Sequence, residues 1–240
     1  MRNDEPVWIT GVGTANPLGD SYAAVADNLL AGNCGVRPIT RFGVDKHRCK
    51  IGALIETVQV PPAWDVNEFR GFPQFEQLLL WCVAQALQDS GWWDKRTDHR
   101  LGLVLGLGAE WIRNWEVDRS QGGTRVVDPR LDNETVLDIV RRRLGLTGLA
   151  VTVAAACASG NHALALGRRW LQLGWMDACI AGACSMEVTP MSLAGFGNIG
   201  ALTKRNDDPV AASRPFDQKR DGFVMGDGGA MFMLEPDAVA

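Results

Sequence analysis

Val151-Thr-Val-Ala-Ala-Ala-Cys157-Ala-Ser-Gly160 reads as a buried strand that runs directly into a helix, with a cysteine at the junction. The strand is expected over Leu149 to Ala155 and the helix from about Ala158 to Leu173, stopped by Gly174. A thiol at such a junction points into the positive end of the helix dipole, beside unpaired backbone N–H groups that favour a thiolate. The same N–H groups can hold a developing oxyanion, and the small neighbours Ala156, Ala158, Ser159 and Gly160 leave room for a substrate carbonyl. The competing reading is an inert core cysteine, since cysteine is among the most buried residue types. His162 lies five residues on, and five steps of about 100° carry it well round the helix from the thiol. It is therefore expected to be packed or hydrogen-bonded in the helix layer and not to act as the base.

The same alternation of strand and helix extends outward in both directions. Upstream, Val7 to Val12 reads as a buried strand, and Ser21 to Ala31 as a helix with Tyr22, Val25, Ala26, Leu29 and Leu30 at helical spacing, stopped by Gly32. Gln74 to Ser90 is a second strong helix, followed by Gly91 and by the strand LGLVLGL at 101 to 107. Asp132 is a candidate cap for a third helix, which ends in Arg141, Arg142 and Arg143 before Gly145. Downstream come strands at Ala178 to Ala183 and Ala230 to Leu234, separated by a polar stretch at 203–222 that reads as a long exposed loop. The pattern predicts an α/β layer built on a mixed, mostly parallel sheet.

Composition removes several function classes. The 240 residues carry 24 Lys+Arg against 28 Asp+Glu, a net charge of −4 that argues against a nucleic-acid surface. No apolar run approaches the about 18 residues of a membrane span, and the polar start MRNDEPVWIT has no signal-peptide pattern, so a cytoplasmic location is expected. Six dispersed cysteines (34, 49, 82, 157, 179 and 184), without a C-x-x-C pair, and three scattered histidines give neither a disulfide scaffold nor a zinc spacing. No metal or cofactor is expected. Gly11-Val-Gly13 invites a dinucleotide reading, but Asn16 stands where the third glycine would be, and a tight turn after the strand is the simpler account. His47 and His99 read as loop surface residues, and Cys179 and Cys184 as core.

Several segments together resemble the N-terminal half of a β-ketoacyl synthase, a condensing enzyme of fatty-acid and polyketide assembly in the thiolase-like superfamily. They are VWITGVGTANPLGDSYAAVADNLLAGNCGVRPITRF from residue 7, AACASGNHALALG around Cys157, and RNDDPVAASRPFDQKRDGFVMGDGG at 205–229. The resemblance implies a thiolase-like N-terminal domain over 7–240, a short polar extension at 1–6, and a C-terminal half absent from this chain. It places the family's nucleophile on Cys157, a residue bordering the acyl pocket on Phe196 and one near its entrance on Phe223. Cys157 would accept an acyl group from an acyl carrier protein or CoA thioester, for decarboxylative condensation with a malonyl thioester.

The family's two catalytic histidines, its supporting lysine and one oxyanion donor belong to the C-terminal half, and none of His47, His99 or His162 matches them. The alternative reading is a non-catalytic or half-site subunit that binds a carrier protein or a complementary half. A homodimer, or association with such a partner, is expected in either case, because the helix after Cys157 is apolar on more than one face. The Trp-bearing segment at 108–131 has no close counterpart in the family, and Ala183 and Ser185 replace its common Gly and Glu.

Overall fold

The computed structural model describes residues 5–62, 64–108, 110–123 and 135–237. In chain order its first elements are β1 (Val7–Ala15), α1 (Tyr22–Leu30), β2 (Arg37–Pro38), β3 (Ile51–Gly52), α2 (Val66–Arg70), α3 (Gln74–Asp89) and β4 (Leu101–Gly106). They are followed by α4 (Glu110–Ser120), α5 (Val136–Leu144), β5 (Ala150–Val153), α6 (Ser159–Gln172), β6 (Ala178–Ser185), α7 (Pro190–Asn198), α8 (Pro209–Ala212) and β7 (Gly228–Pro236).

Among the described residues five strands form one mixed sheet in the order β1-β7-β6-β4-β5. The parallel part is β6-β4-β5, and β7 runs antiparallel to both β6 and β1. Helix α3 covers one face and α6 the other, so β4 is buried on both sides and reads as an unbroken apolar run. Its alternation assigns the faces: Leu101, Leu103 and Leu105 join the α3 cluster with Leu79, Val83 and Leu87, whereas Val104 joins the α6 cluster with Ala163, Trp170 and Leu171. Each such fully buried aliphatic side chain contributes about 1.5–3 kcal/mol.

Gly11 and Gly13 lie inside β1, not in a turn after it. A Cβ on Gly13 would overlap the Cys82 carbonyl and one on Gly11 the Ala86 carbonyl, so the two glycines let the α3 backbone lie directly on the strand. Only the later half of β1 is buried. Trp8 and Ile9 remain about half exposed because the strand forms the sheet's edge and α3 covers only the glycine-bearing part.

Asp132 lies outside the described residues; the cap of α5 is Thr135, whose Oγ1 accepts from the Asp138 amide at 3.2 Å while Asp138 Oδ2 accepts from the Thr135 amide at 3.3 Å. Gly145 closes that helix in the left-handed region at φ +67°. The polar stretch at 203–222 is mostly irregular, as expected, but contains α8, started by Asp208 and Pro209.

A smaller cluster (Ile39, Cys49, Ile51, Val188, Leu193, Leu202, Ala212 and Met225) gathers β2, β3, α7 and α8. Asp227 fastens it to the sheet. Its buried carboxylate takes Arg41 Nη2 at 2.9 Å, the Ile55 amide at 3.1 Å and the Val188 amide at 3.4 Å. Burial still pushes the Asp227 carboxyl up from its usual range, against the opposing pull of Arg41 and these amides.

Candidate active site

The parallel strands β4, β5 and β6 deliver their following segments to one edge of the sheet, the edge at which open α/β sheets build sites. After β5 the chain passes Ala154 and Ala155, turns at Ala156 and reaches Cys157 one residue before the cap of α6. Ala156 is left-handed at φ +49°, a conformation that costs a non-glycine residue about 1–2 kcal/mol and persists only where its surroundings dictate it. The turn is closed by Ala158 N–H to Ala155 O at 3.0 Å and Ser159 N–H to Ala156 O at 3.1 Å. Among the described residues no side chain caps α6, so the first turn that follows Cys157 presents backbone donors.

Exposure separates Cys157 from the other cysteines. All six are free thiols; Cys157 is exposed, Cys34 is half-buried, and Cys49, Cys82, Cys179 and Cys184 are buried. Burial pushes the thiols of Cys49 and Cys179 up, which keeps them protonated and inert. Cys179 and Cys184 are core residues, as expected, and lie within β6.

Close packing sets the height of the thiol above the sheet. A Cβ at Gly106, the last residue of β4, would stand 2.6 Å from the carbonyl carbon of Ser159, so glycine there is what lets α6 start against the strand end. Ser159 itself is buried, with its Oγ 2.9 Å from the Ala155 amide, 2.7 Å from Ala156 O and 3.2 Å from Leu107 O. The sequence marked Ala156 only as a small neighbour of the thiol, because alanine carries no sign of a left-handed turn. A serine in the first turn of a helix was the available signal for the hydroxyl.

Phe196 and Phe223, far apart in sequence, meet edge to face with centroids 5.6 Å apart. Thr189 caps α7 and so orients Phe196. Phe223 is pinned by its amide to Ala201 O at 2.9 Å and its carbonyl to Thr203 N at 3.0 Å. Both rings are a little over 40% exposed, so they are not core aromatics. Helix α7 follows β6 as the Cys157 turn follows β5, which puts the two features on the same edge of the sheet. Asp221 braces the adjoining loop, and the Thr203 hydroxyl and Lys204 amide hold its carboxyl below the ordinary range. Helix α4, from the Trp-bearing segment, reaches this edge too, where Glu116 accepts from the Met191 amide.

The histidines do not assemble. His99 packs on Trp92, whose indole donates to Glu235 at the far end of β7, on the opposite edge of the sheet from Cys157. His47 is half-buried and packs on Phe42. His162 is exposed, contrary to the packed position expected: the turn of α6 that carries it faces an open, mainly apolar groove formed with Val153, Ala154, Ala155, Ala165, Leu166 and Arg169. Among the described residues no hydrogen bond joins any of the three to Cys157, and no group of His, Cys, Asp and Glu is arranged to hold a metal ion.

The family model for the N-terminal domain of beta-ketoacyl synthases matches residues 4–240. The chain belongs to the beta-ketoacyl synthase family. It is 33% identical over 237 residues to 3-oxoacyl-[acyl-carrier-protein] synthase 2 of Coxiella burnetii, covering 95% of this chain and 57% of that protein. It is also 33% identical to the tetracenomycin polyketide synthase ketoacyl synthase alpha subunit of Streptomyces glaucescens, covering 97% and 58%. A crystal structure of a beta-ketoacyl synthase from Burkholderia phymatum superposes with a TM-score of 0.80 at 27% identity, over 98% of this chain and 60% of that one. The chain thus spans somewhat under two thirds of the length of these family members, and the fold is the thiolase-like N-terminal domain expected from the sequence.

Proposed function

We propose that this chain is the nucleophile-bearing part of a condensing acyltransferase of fatty-acid or polyketide synthesis, working in the cytosol on acyl groups held by an acyl carrier protein or CoA. The observation that carries the reading is the exposed Cys157 on a left-handed turn at the start of α6, in a chain whose other cysteines are half-buried or buried. The Cys157 thiolate attacks the thioester carbonyl, and the oxyanion of the tetrahedral intermediate lies toward the N–H groups of the first turn of α6. The carrier's sulfur then leaves and takes up a proton, and the acyl group remains on Cys157. The carbanion formed when a malonyl thioester loses CO₂ attacks that carbonyl and releases the cysteine. Phe196 and Phe223 border the acyl chain.

That last stage needs a proton donor and a second oxyanion donor beside the sulfur. None of the three histidines is bonded to Cys157, which favours a second reading in which the chain is a half-site that works with a complementary segment or partner. The open groove along α6 and β5 supports such an association, as does β5, which among the described residues is a sheet edge paired only with β4.

The test is limiting alkylation of the folded chain near neutral pH with mapping of each cysteine, followed by incubation with an acyl-CoA and intact-mass analysis. Cys157 is expected to react first, Cys34 more slowly, the four buried thiols last, and one acyl group to appear on Cys157. Alkylation of Cys34 as fast as that of Cys157 would remove the basis for the reading.

A further inference from the structure

We propose that Ser159 is the positioning residue of the nucleophile, its hydroxyl acting as a clamp that keeps Ala156 left-handed and thereby aims Cys157. This rests on the reading of Cys157 as the nucleophile. A residue at positive φ relaxes toward the right-handed or extended region unless the backbone before and after it is tied. Ser159 Oγ does this with one atom. It accepts the Ala155 N–H at 2.9 Å, on the near side of residue 156, and directs its single proton to Ala156 O at 2.7 Å, on the far side. Leu107 O, just after β4 and 3.2 Å away, is the alternative acceptor for that one proton.

Ser159 is only 4% exposed, so water does not readily replace the hydroxyl. Without it the Ala155 amide loses this acceptor, and the turn is left to its two backbone bonds, Ala158 N–H to Ala155 O and Ser159 N–H to Ala156 O. Because Cys157 is the next residue, a change of φ at 156 swings the sulfur away from the start of α6. Ser159 touches no substrate in this account; it acts through the backbone.

The experiment measures alkylation of Cys157 in Ser159→Ala, with Cys34 in the same molecule as the internal reference. The variant is expected to slow Cys157 by about tenfold, as displacements of up to about an ångström do at reacting groups, and to leave Cys34 unchanged. Adding Ala156→Gly should restore Cys157 to within about threefold of the wild type, since glycine holds positive φ without a clamp. A side chain that merely fills space would not be rescued from residue 156.

A Ser159→Ala rate within twofold of the wild type, or a slow rate that Ala156→Gly does not restore, overturns the proposal. If Ser159→Ala opens the fold, seen as labelling of Cys82, Cys179 and Cys184, the comparison moves to Ala156→Gly with and without Ser159→Ala. Equal Cys157 rates then support the clamp, and a tenfold difference overturns it. Failure of the nucleophile reading shows separately, as a wild-type Cys157 no faster than Cys34.

Discussion

A single methyl group added at Gly106 tests whether the seat of α6 on β4 sets the nucleophile, because residue 106 is not part of the turn itself. An alanine Cβ there would lie 2.6 Å from the Ser159 carbonyl carbon and 2.8 Å from the Gly160 amide nitrogen. Ordinary carbon contacts begin near 3.5 Å, so the start of α6 must retreat by roughly 0.9 Å. Both neighbours are backbone, and no rotamer change relieves the clash. Overpacking of this kind costs about 1–3 kcal/mol. In a chain of this size that lowers the midpoint of thermal unfolding by roughly 2–12 °C. The same retreat displaces Cys157 and is expected to slow its alkylation by about ten- to a hundredfold. Gly108→Ala is the control, since nothing lies within 4 Å of a Cβ at that position. A Gly106→Ala protein that melts within 1 °C of the wild type and keeps its Cys157 rate within about twofold, as the control should, would refute the packing argument.

Thr135→Ala removes the capping box of α5 and should cost about 1 kcal/mol, read as a lower urea midpoint with an unchanged slope. Asp177, ahead of β6, is held below the usual carboxylate range, first by the hydrogen bond from Arg100 at 2.5 Å. Its folded pKa is the lower one, so its stabilisation is complete above the unfolded value of about 3.9 and is lost as pH falls through the folded value. Asp177→Asn should therefore melt lower than the wild type at pH 7, by the equivalent of less than about 1 kcal/mol for so exposed a pair, and at the same temperature near pH 2. Equal melting at pH 7 would show that the pair contributes nothing.

Much of this architecture was legible in the sequence because the decisive signals were local. Apolar spacing marked α3 and α6, the unbroken run LGLVLGL marked a strand buried on both faces, and Gly32, Gly91, Gly145 and Gly174 marked helix ends, all four at positive φ. Cys157 was legible as a thiol at a strand-to-helix junction, and Phe196 and Phe223 through motifs shared with the family. What escaped were facts about distance between remote segments. Gly11 and Gly13 resembled a turn until the α3 backbone was found lying on them, and His162 resembled a packed residue until its side of α6 proved open. The clamp at Ala156 depends on a hydroxyl three residues away whose reach only the folded turn reveals.

The place of β7 in the sheet has a consequence for how the chain is made. This last strand lies between β1 and β6, and its register pairs Val7 with Pro236. A ribosome must therefore deliver every segment from β1 to β7 before β1 meets its neighbour, and closing so long a loop is slow and costs entropy. Until then the β4, β5 and β6 segment, with the cysteine turn already made, has an unpaired strand edge at β6. That interval leaves the nascent chain open to faulty strand pairing at the β6 edge.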